Sequence, residues 1–208
     1  HRLARLLIER GVGPDSIVPI LMDRSPQAIT AVLGVLAAGG GYLPLDPAAP
    51  VRRTQVMVED SGGSVILTTA AHGGVAALLG AGEVVNLDDP AIREEMASRR
   101  PERIGDRERG AASSPSDPAF VIYTSGTTGA PKGSVNTQAG IVNCLQWLGD
   151  RMGLTPEDRV LHQAALIFDM AVAEIFLPLM TGAVVVIARP GEQNDPGSIA
   201  RLIQREAV

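Results

Sequence analysis

Short apolar runs alternate with segments of helical pattern along most of this 208-residue chain. The runs rich in β-branched residues predict strands, which lie at 16–22, 65–68, 83–87, 119–123, 159–162 and 184–187. The intervening segments carry helix signals, such as an N-cap and first-turn proline at Ser25–Pro26 and a stop at Gly39–Gly41. Strands that alternate with helices assemble into parallel sheets with helices on their faces. The sequence therefore predicts an α/β fold of mostly parallel sheets flanked by helices.

Two stretches are less regular. Residues 42–46 are apolar but contain Pro44, and two further prolines follow, so a strand end or a tight connection is predicted there. Residues 93–118 mix arginines with carboxylates and then become rich in serine. Arginine clusters can bind phosphates, but interleaved carboxylates cancel most of their field. A solvated connection is therefore the favoured interpretation of this second stretch.

Composition limits the class of partner. The net charge of −5 argues against a nucleic-acid or membrane surface and favours a small molecule. Cys144 is the single cysteine, which excludes an internal disulfide and a multi-cysteine metal site, and no metal-binding residues are predicted. No apolar run approaches the roughly 18 residues that span a bilayer, and no secretory signal is recognised, so a cytoplasmic location is expected.

The most informative stretch is DPAFVIYTSGTTGAPKGSVN at residues 117–136. A short apolar strand is followed at 124–133 by a loop of glycines, hydroxyl residues and one cation, Lys132. Glycines let backbone N–H groups approach phosphate oxygens, hydroxyls can donate, and an ammonium offsets negative charge. Lys132 is the only lysine in a chain whose other cations are all arginine. These features predict a polyphosphate-binding loop, with a solvated surface turn as the alternative.

The loop differs from the P-loop pattern G-x-x-x-x-G-K-[ST]. Counting from Gly126, the second required glycine is replaced by Pro131, and Gly133 stands where serine or threonine should follow the lysine. Instead, YTSGTTGAPKG resembles the signature of the adenylate-forming superfamily, which includes acyl-CoA synthetases, luciferases and adenylation domains of nonribosomal peptide synthetases. LAAGGGYLPLDP at 36–47 and IFDMAVAEIF at 167–176 are similar to two further motifs of the peptide synthetase branch.

The resemblance implies part of the large N-terminal domain of an adenylate-forming enzyme. It divides the single truncated domain into a first α/β portion at 1–98, a connection at 99–117, and a portion with the phosphate loop and substrate pocket at 118–208. Lys132 is the implied catalytic residue, acting as a movable countercharge to ATP, which Mg²⁺ should accompany. The implied nucleotide-binding residues are Thr124, Ser125, Gly126, Thr127, Thr128, Gly129 and Lys132.

Asp169 is the candidate for the second site. On residue type alone, an aspartate at the start of a helix is best interpreted as an N-cap. The resemblance instead implies that Asp169 pairs with the α-ammonium of an amino acid, that Phe168 walls the pocket, and that Met170 and Ala173 line it. Ala173 stands where the motif usually has tryptophan, which implies a pocket of altered shape. The lone His162 is interpreted as hydrogen bonded in a structural role.

The implied function is activation of an amino acid as aminoacyl-AMP. Transfer to the phosphopantetheine thiol of a carrier protein would follow, with a condensation domain in the same assembly line. Both ends of the chain look cut, so an internal fragment with little activity of its own is expected. A stand-alone acyl-CoA or aryl-acid ligase and a non-catalytic nucleotide-binding remnant are the alternatives.

Overall fold

The structure is a computed structural model that describes residues 1–125 and 131–208. Its strands are β1 (Ile17–Leu21), β2 (Gly41–Leu45), β3 (Val65–Thr68), β4 (Glu83–Asn86), β5 (Pro118–Ser125), β6 (Pro131–Thr137), β7 (Arg159–His162) and β8 (Val184–Ile187). The first six form one sheet in the order β4-β3-β1-β2-β5-β6, and β7 pairs with β8 in a second sheet. Among these described strands, every pair is parallel except β5 with β6. The predicted α/β fold with mostly parallel sheets is confirmed.

Helices pack on both faces of the larger sheet. The helices of the described residues are α1 (Arg2–Glu9), α2 (Pro26–Ala38), α3 (Val51–Ser61), α4 (Gly73–Ala76), α5 (Pro90–Ala97), α6 (Asp106–Arg109), α7 (Gln138–Met152), α8 (Met170–Thr181) and α9 (Pro196–Glu206), of which α9 packs on β8 of the second sheet. One buried apolar cluster joins the sheet to α1, α2, α7 and α8, and a second lies between the sheet, α3 and α4. In the described ranges, no helix is long and apolar enough to cross a membrane.

Both ends of α2 match the capping signals in the sequence. The Ser25 hydroxyl accepts a hydrogen bond of 3.1 Å from the Ala28 amide, and Pro26 occupies the first turn, where its missing N–H costs nothing. Gly39 ends the helix at φ +96°, in the left-handed region that favours glycine. The predicted helix is therefore confirmed, and the chain turns at once into β2.

The interpretation of residues 42–46 as a strand end is wrong. Gly41–Leu45 is a fully buried strand in the interior of the sheet, paired along its length with β1. Proline has no N–H to donate to a neighbouring strand. The strand accommodates Pro44 because β2 pairs with β5 at Tyr42 and Phe120, which is before the proline in the chain. The rings of Tyr42 and Phe120 also contact each other, with centroids 5.5 Å apart.

The connection after α5 is anchored rather than solvated throughout. Its anchor is Arg5 of α1, a buried side chain whose Nε and terminal nitrogen donate to the two carboxylate oxygens of Glu108 at 2.8 and 3.1 Å. The same guanidinium donates to the carbonyl oxygens of Arg100 and Glu102. Ile104 lies between these contacts and is buried in the main core. The segment therefore includes the short helix α6, which the sequence analysis missed.

We expect the Arg5–Glu108 pair to make stability depend on pH. The hydrogen bond from Arg5 holds the pKa of Glu108 below its usual value. Stability from a carboxyl group with a lowered folded-state pKa is present above its unfolded pKa, about 4.3, and is lost as pH falls through the folded value. Urea unfolding should therefore show Glu108→Gln to be less stable than wild type at pH 7, with a difference that shrinks below about pH 4. A difference that stays constant from pH 7 to pH 3 would contradict this account.

Candidate functional site

The first part of the site is the hairpin of β5 and β6, which brackets residues 126–130. The predicted loop at 124–133 was too long, because β5 continues through Ser125 and β6 begins at Pro131. Thr124 pairs directly with Lys132 across the two strands, so their side chains lie on the same face of the hairpin. The predicted nucleotide-binding residues that lie outside the described residues are Gly126, Thr127, Thr128 and Gly129.

Lys132 stands at the start of β6 and is exposed, as is Thr124 opposite it. Within the described part of the chain, the Lys132 ammonium takes part in no ion pair. An exposed ammonium on a rigid strand beside a threonine hydroxyl can bind an anionic oxygen without first breaking a contact with these residues. The arrangement therefore suits a phosphate group held at the end of the hairpin next to residues 126–130.

Tyr123 anchors this end of the hairpin to α3. Its hydroxyl donates to Asp60 Oδ2 at 2.5 Å and lies 3.4 Å from the Met57 carbonyl oxygen. Burial, followed by the bond to Asp60, raises the pKa of the Tyr123 phenol, so it remains a donor at neutral pH. A Cβ at Gly133, the cross-strand partner, would lie 3.1 Å from the Tyr123 ring, which is a tight contact, so glycine suits this close approach. The end of β5 that leads into residues 126–130 is thus held against α3 by Tyr123.

The second part of the site is the start of α8. Phe168 and Met170 are 58% and 62% exposed, and Asp169 between them is also exposed. Asp169 and Met170 lie one helical turn before Ala173, so the three share one side of α8. Ala173 is half-buried and packs against the main core. The structure therefore brings the predicted substrate-binding residues together on one short surface.

The interpretation of Asp169 as a helix-capping side chain is wrong. Its backbone is already helical, with φ −60° and ψ −29°, and its side chain makes no capping hydrogen bond. The turn is closed by backbone bonds instead, from Ala171 N to the Phe168 carbonyl at 3.1 Å and from Val172 N to the Asp169 carbonyl at 3.0 Å. The Asp169 carboxylate is therefore left at the positive end of the α8 dipole, where an anion is favoured, and it accepts no hydrogen bond from residues 1–125 or 131–208.

Glu174 is a structural determinant of the site that the sequence analysis missed. Its Oε2 atom lies 2.9 Å from His162 Nδ1 and from the amide nitrogens of Gln163 and Ala164. The His162 ring is fully buried and hydrogen bonded, which fits the predicted structural role. Glu174 also opposes the lowering of the Arg24 pKa by burial. A lone carboxylate inside the apolar sequence MAVAEIFLPLMT was the signal that could have identified this residue.

A cavity of about 350 Å³ adjoins both parts of the site. Tyr123 lines it from the end of β5, and Ile167 lines it from the segment before α8. These residues directly precede Thr124 and Phe168, the first candidates of the hairpin and of the α8 surface. Asp46 and Arg53 contribute the charged groups of the wall. The cavity thus lies at the carboxyl ends of β2 and β5, where ligands bind in open α/β sheets, and each part of the site adjoins it through the residue that precedes its first candidate.

Comparison with known proteins gives matches along the whole chain. The family described as AMP-binding enzyme matches residues 1–208. Tyrocidine synthase 3 of Brevibacillus parabrevis is 39% identical over 210 residues, which cover 100% of this chain and 3% of the synthase. The dimodular nonribosomal peptide synthase of Bacillus subtilis is 40% identical over 207 residues, which cover 98% of this chain and 8% of the synthase. The chain thus spans less than a tenth of the length of these relatives.

Solved structures show the same fold. A crystal structure of the nonribosomal peptide synthetase FmoA3 in an α-methyl-L-serine-AMP bound form has a TM-score of 0.86 at 33% identity, covering 100% of this chain and 22% of that chain. A four-domain nonribosomal peptide synthetase bound to AMP and glycine has a TM-score of 0.80 at 26% identity, covering 100% of this chain and 14% of that chain. The likeness therefore extends over both sheets and both parts of the candidate site.

Proposed function

The chain belongs to the AMP-binding enzymes, a family of adenylate-forming ligases, and corresponds to part of a nonribosomal peptide synthetase adenylation domain; on this premise we propose that it activates an α-amino acid. In the proposed reaction, a carboxylate oxygen of the amino acid attacks the α-phosphorus of ATP. A bond forms between this carboxylate oxygen and the α-phosphorus. The bond from the α-phosphorus to the oxygen that bridges it to the β-phosphorus breaks, and pyrophosphate leaves with the electron pair. The product is aminoacyl-AMP.

The observation that carries this proposal is that the Asp169 carboxylate is exposed and makes no capping hydrogen bond. An exposed carboxylate that caps nothing and accepts no hydrogen bond from the described residues is available to a ligand. An α-ammonium is its natural counterpart, because a charge-assisted hydrogen bond joins the two groups once water is excluded. FmoA3 carries an amino-acid adenylate, and the four-domain synthetase carries glycine and AMP, which supports the same class of substrate here. Phe168, Met170 and Ala173 would contact the side chain of the amino acid.

The hairpin would hold the triphosphate. We assign the β- and γ-phosphates to Thr124, Ser125, Lys132 and the residues between them, with Lys132 offsetting the charge that develops on the leaving pyrophosphate. We expect Mg²⁺ to enter with the nucleotide, since Mg²⁺ is usually bound through substrate phosphates together with one or two carboxylates. Among the described residues, no group of three His, Cys, Asp or Glu side chains is placed to hold a metal ion.

The aminoacyl group would then pass to the phosphopantetheine thiol of a carrier protein. The thiolate attacks the carbonyl carbon, a thioester forms, and AMP leaves. The relatives are peptide synthetases many times longer than this chain, which supports a carrier domain and a condensation domain as partners. We expect the 208 residues alone to catalyse little exchange, and assaying this chain beside the full-length protein tests that expectation directly.

Amino-acid-dependent exchange of labelled pyrophosphate into ATP tests the proposal. The full-length protein of the native reading frame should respond to at least one of the proteinogenic amino acids. The 2-hydroxy analogue of that amino acid should be at least about tenfold poorer, because it lacks the charge-assisted bond to Asp169. Equal or better activity with fatty or aryl acids would instead identify an acyl-CoA or aryl-acid ligase. Absence of exchange with every acid would identify a non-catalytic nucleotide-binding protein.

A further inference from the structure

One carboxylate oxygen of Glu174 is hydrogen bonded to three consecutive residues at the end of β7 and just after it. The three hydrogen bonds to Oε2, each 2.9 Å long, come from consecutive residues, namely the His162 ring and the amides of Gln163 and Ala164. The Glu174 side chain is only 15% exposed and the His162 side chain 1%, so water competes poorly for these bonds. A carboxylate binds such donors about twice as strongly as a neutral acceptor does. The start of the segment 163–169 is therefore fixed to α8.

The end of the same segment is fixed by the helix itself. Phe168 N donates to the Ala165 carbonyl at 3.0 Å, and Val172 N donates to the Asp169 carbonyl at 3.0 Å. Glu174 lies one turn beyond the first residue of α8, so the helix that carries Asp169 also provides the anchor for the segment that precedes it. Leu166, in the middle of the segment, is buried in the main core. The position of Asp169 thus depends on three attachments, of which Glu174 supplies the only charged one in the described residues.

We propose that Glu174 is a positioning residue for the amino-acid site. It holds the segment 163–169 so that the Asp169 carboxylate stays where the substrate ammonium binds, although Glu174 itself touches no reacting atom. This inference rests on the proposed function, since it assigns the ammonium to Asp169. Without Glu174, the amides of Gln163 and Ala164 lose their acceptor, and the segment can move relative to α8. A displacement of about 1 Å at a substrate-positioning group can cost up to about 10²-fold in rate.

The kinetic test compares two substitutions in the full-length protein. Glu174→Ala should raise KM for the amino acid about tenfold while KM for ATP changes less than about twofold, because the hairpin that binds phosphate is attached separately through Tyr123. Glu174→Gln should recover most of the loss, since its amide oxygen can still accept from the backbone. A merely structural residue would not produce this split between the two substrates.

Glu206→Ala is the matched control. Glu206 lies in α9 and ties that helix to β7 through a 2.9 Å bond from Arg159, at the opposite end of the strand from His162. The substitution Glu206→Ala therefore removes a carboxylate contact of the same length between a helix and a strand, and it does not alter the contacts of the segment 163–169. Both KM values should stay within about twofold of wild type in this variant. Equal increases of both KM values in Glu174→Ala, or a match between Glu174→Ala and Glu206→Ala, overturn the proposal.

Hydrogen exchange provides a second measurement that does not depend on catalysis. In wild type, the amides of Gln163 and Ala164 should be protected, and Glu174→Ala should accelerate their exchange more than that of the Ala188 amide, which bonds to the His162 carbonyl at 3.0 Å. Exchange of both amides at the rate of an open turn in wild type overturns the proposal even if Glu174→Ala fails to fold. If wild type shows no amino-acid-dependent exchange of pyrophosphate, the proposed function fails, and protection of the two amides then decides the anchoring role alone.

Discussion

Replacing Lys132 with alanine should lower kcat/KM for pyrophosphate exchange by about 10²- to 10³-fold, the loss typical of removing one preorganised donor to a developing negative charge. Lys132 is exposed near the start of β6, directly across from Thr124 of β5, and β5 is tied to α3 by the bond from Tyr123 to Asp60. Under the proposed function, the ammonium would offset that charge from a strand whose antiparallel partner is tied to α3. Lys132→Arg should retain part of the activity, because it keeps the charge but not the compact geometry.

The measurement can be made in two independent ways. Steady-state exchange in the full-length protein gives kcat/KM, with Arg107→Ala in α6 as a control that also removes an exposed cation. In the 208-residue chain, where Lys132 is the only lysine, reductive ¹³C-methylation labels one side chain and the amino terminus. The Lys132 signal should shift on addition of ATP or tripolyphosphate and remain unchanged with the nucleoside adenosine. Unchanged activity in Lys132→Ala, or a shift that adenosine reproduces, would remove Lys132 from the phosphate site.

Local signals in the sequence located most of the elements that support the site. The bounds of α2 follow from Ser25 and Gly39, and the structure shows both acting as the capping residues expected from their types. The strands β3 and β8 match the predicted ranges because short runs rich in Val and Ile favour strands, and β7 matches around its apolar pair at 160–161. These predictions succeed because each depends on residues within one turn or strand of each other.

The errors arose where a distant partner decides the conformation. Pro44 argued against a strand, yet β2 is held by pairing with β1, whose sequence lies more than twenty residues earlier. The sequence PKGSVNT has no apolar alternation of its own, and β6 forms because β5 offers it a complete antiparallel partner. The residues of one segment carry no record of the pairing energy that another part of the chain contributes.

In the candidate site, too, local sequence determines some features and distant contacts determine others. Residue type placed Asp169 at the start of a helix, but it also suggested a capping bond that the structure lacks, because backbone turns already satisfy the first amides of α8. Glu174 was missed because its donors at 162–164 come within reach only when the preceding segment folds back on the helix. Resemblance to a family motif can therefore nominate a carboxylate as a candidate for ligand binding, whereas the residues that fix its position emerge from three-dimensional contacts.

The effect of Asp169→Asn should be confined to substrates that carry an ammonium group. A hydrogen bond between charged groups contributes about 1.5–3 kcal/mol, so kcat/KM for the preferred amino acid should fall roughly 10- to 150-fold. Asparagine has nearly the same size and remains compatible with the first turn of α8, so folding should be preserved. The activity towards the 2-hydroxy analogue of the same acid should change much less, because the variant removes a charge that this analogue does not use.

The ratio of the two substrates isolates the contact in the manner of a double-mutant cycle. We expect the preference for amino acid over hydroxy acid to fall in Asp169→Asn by about the same factor as kcat/KM for the amino acid. Asp89→Asn is the matched control, since Asp89 is also an aspartate at a helix start but caps α5 through the Ala91 amide. The control should leave the preference unchanged. If Asp169→Asn lowers activity towards both acids equally, the carboxylate supports the fold of the pocket and does not bind the ammonium.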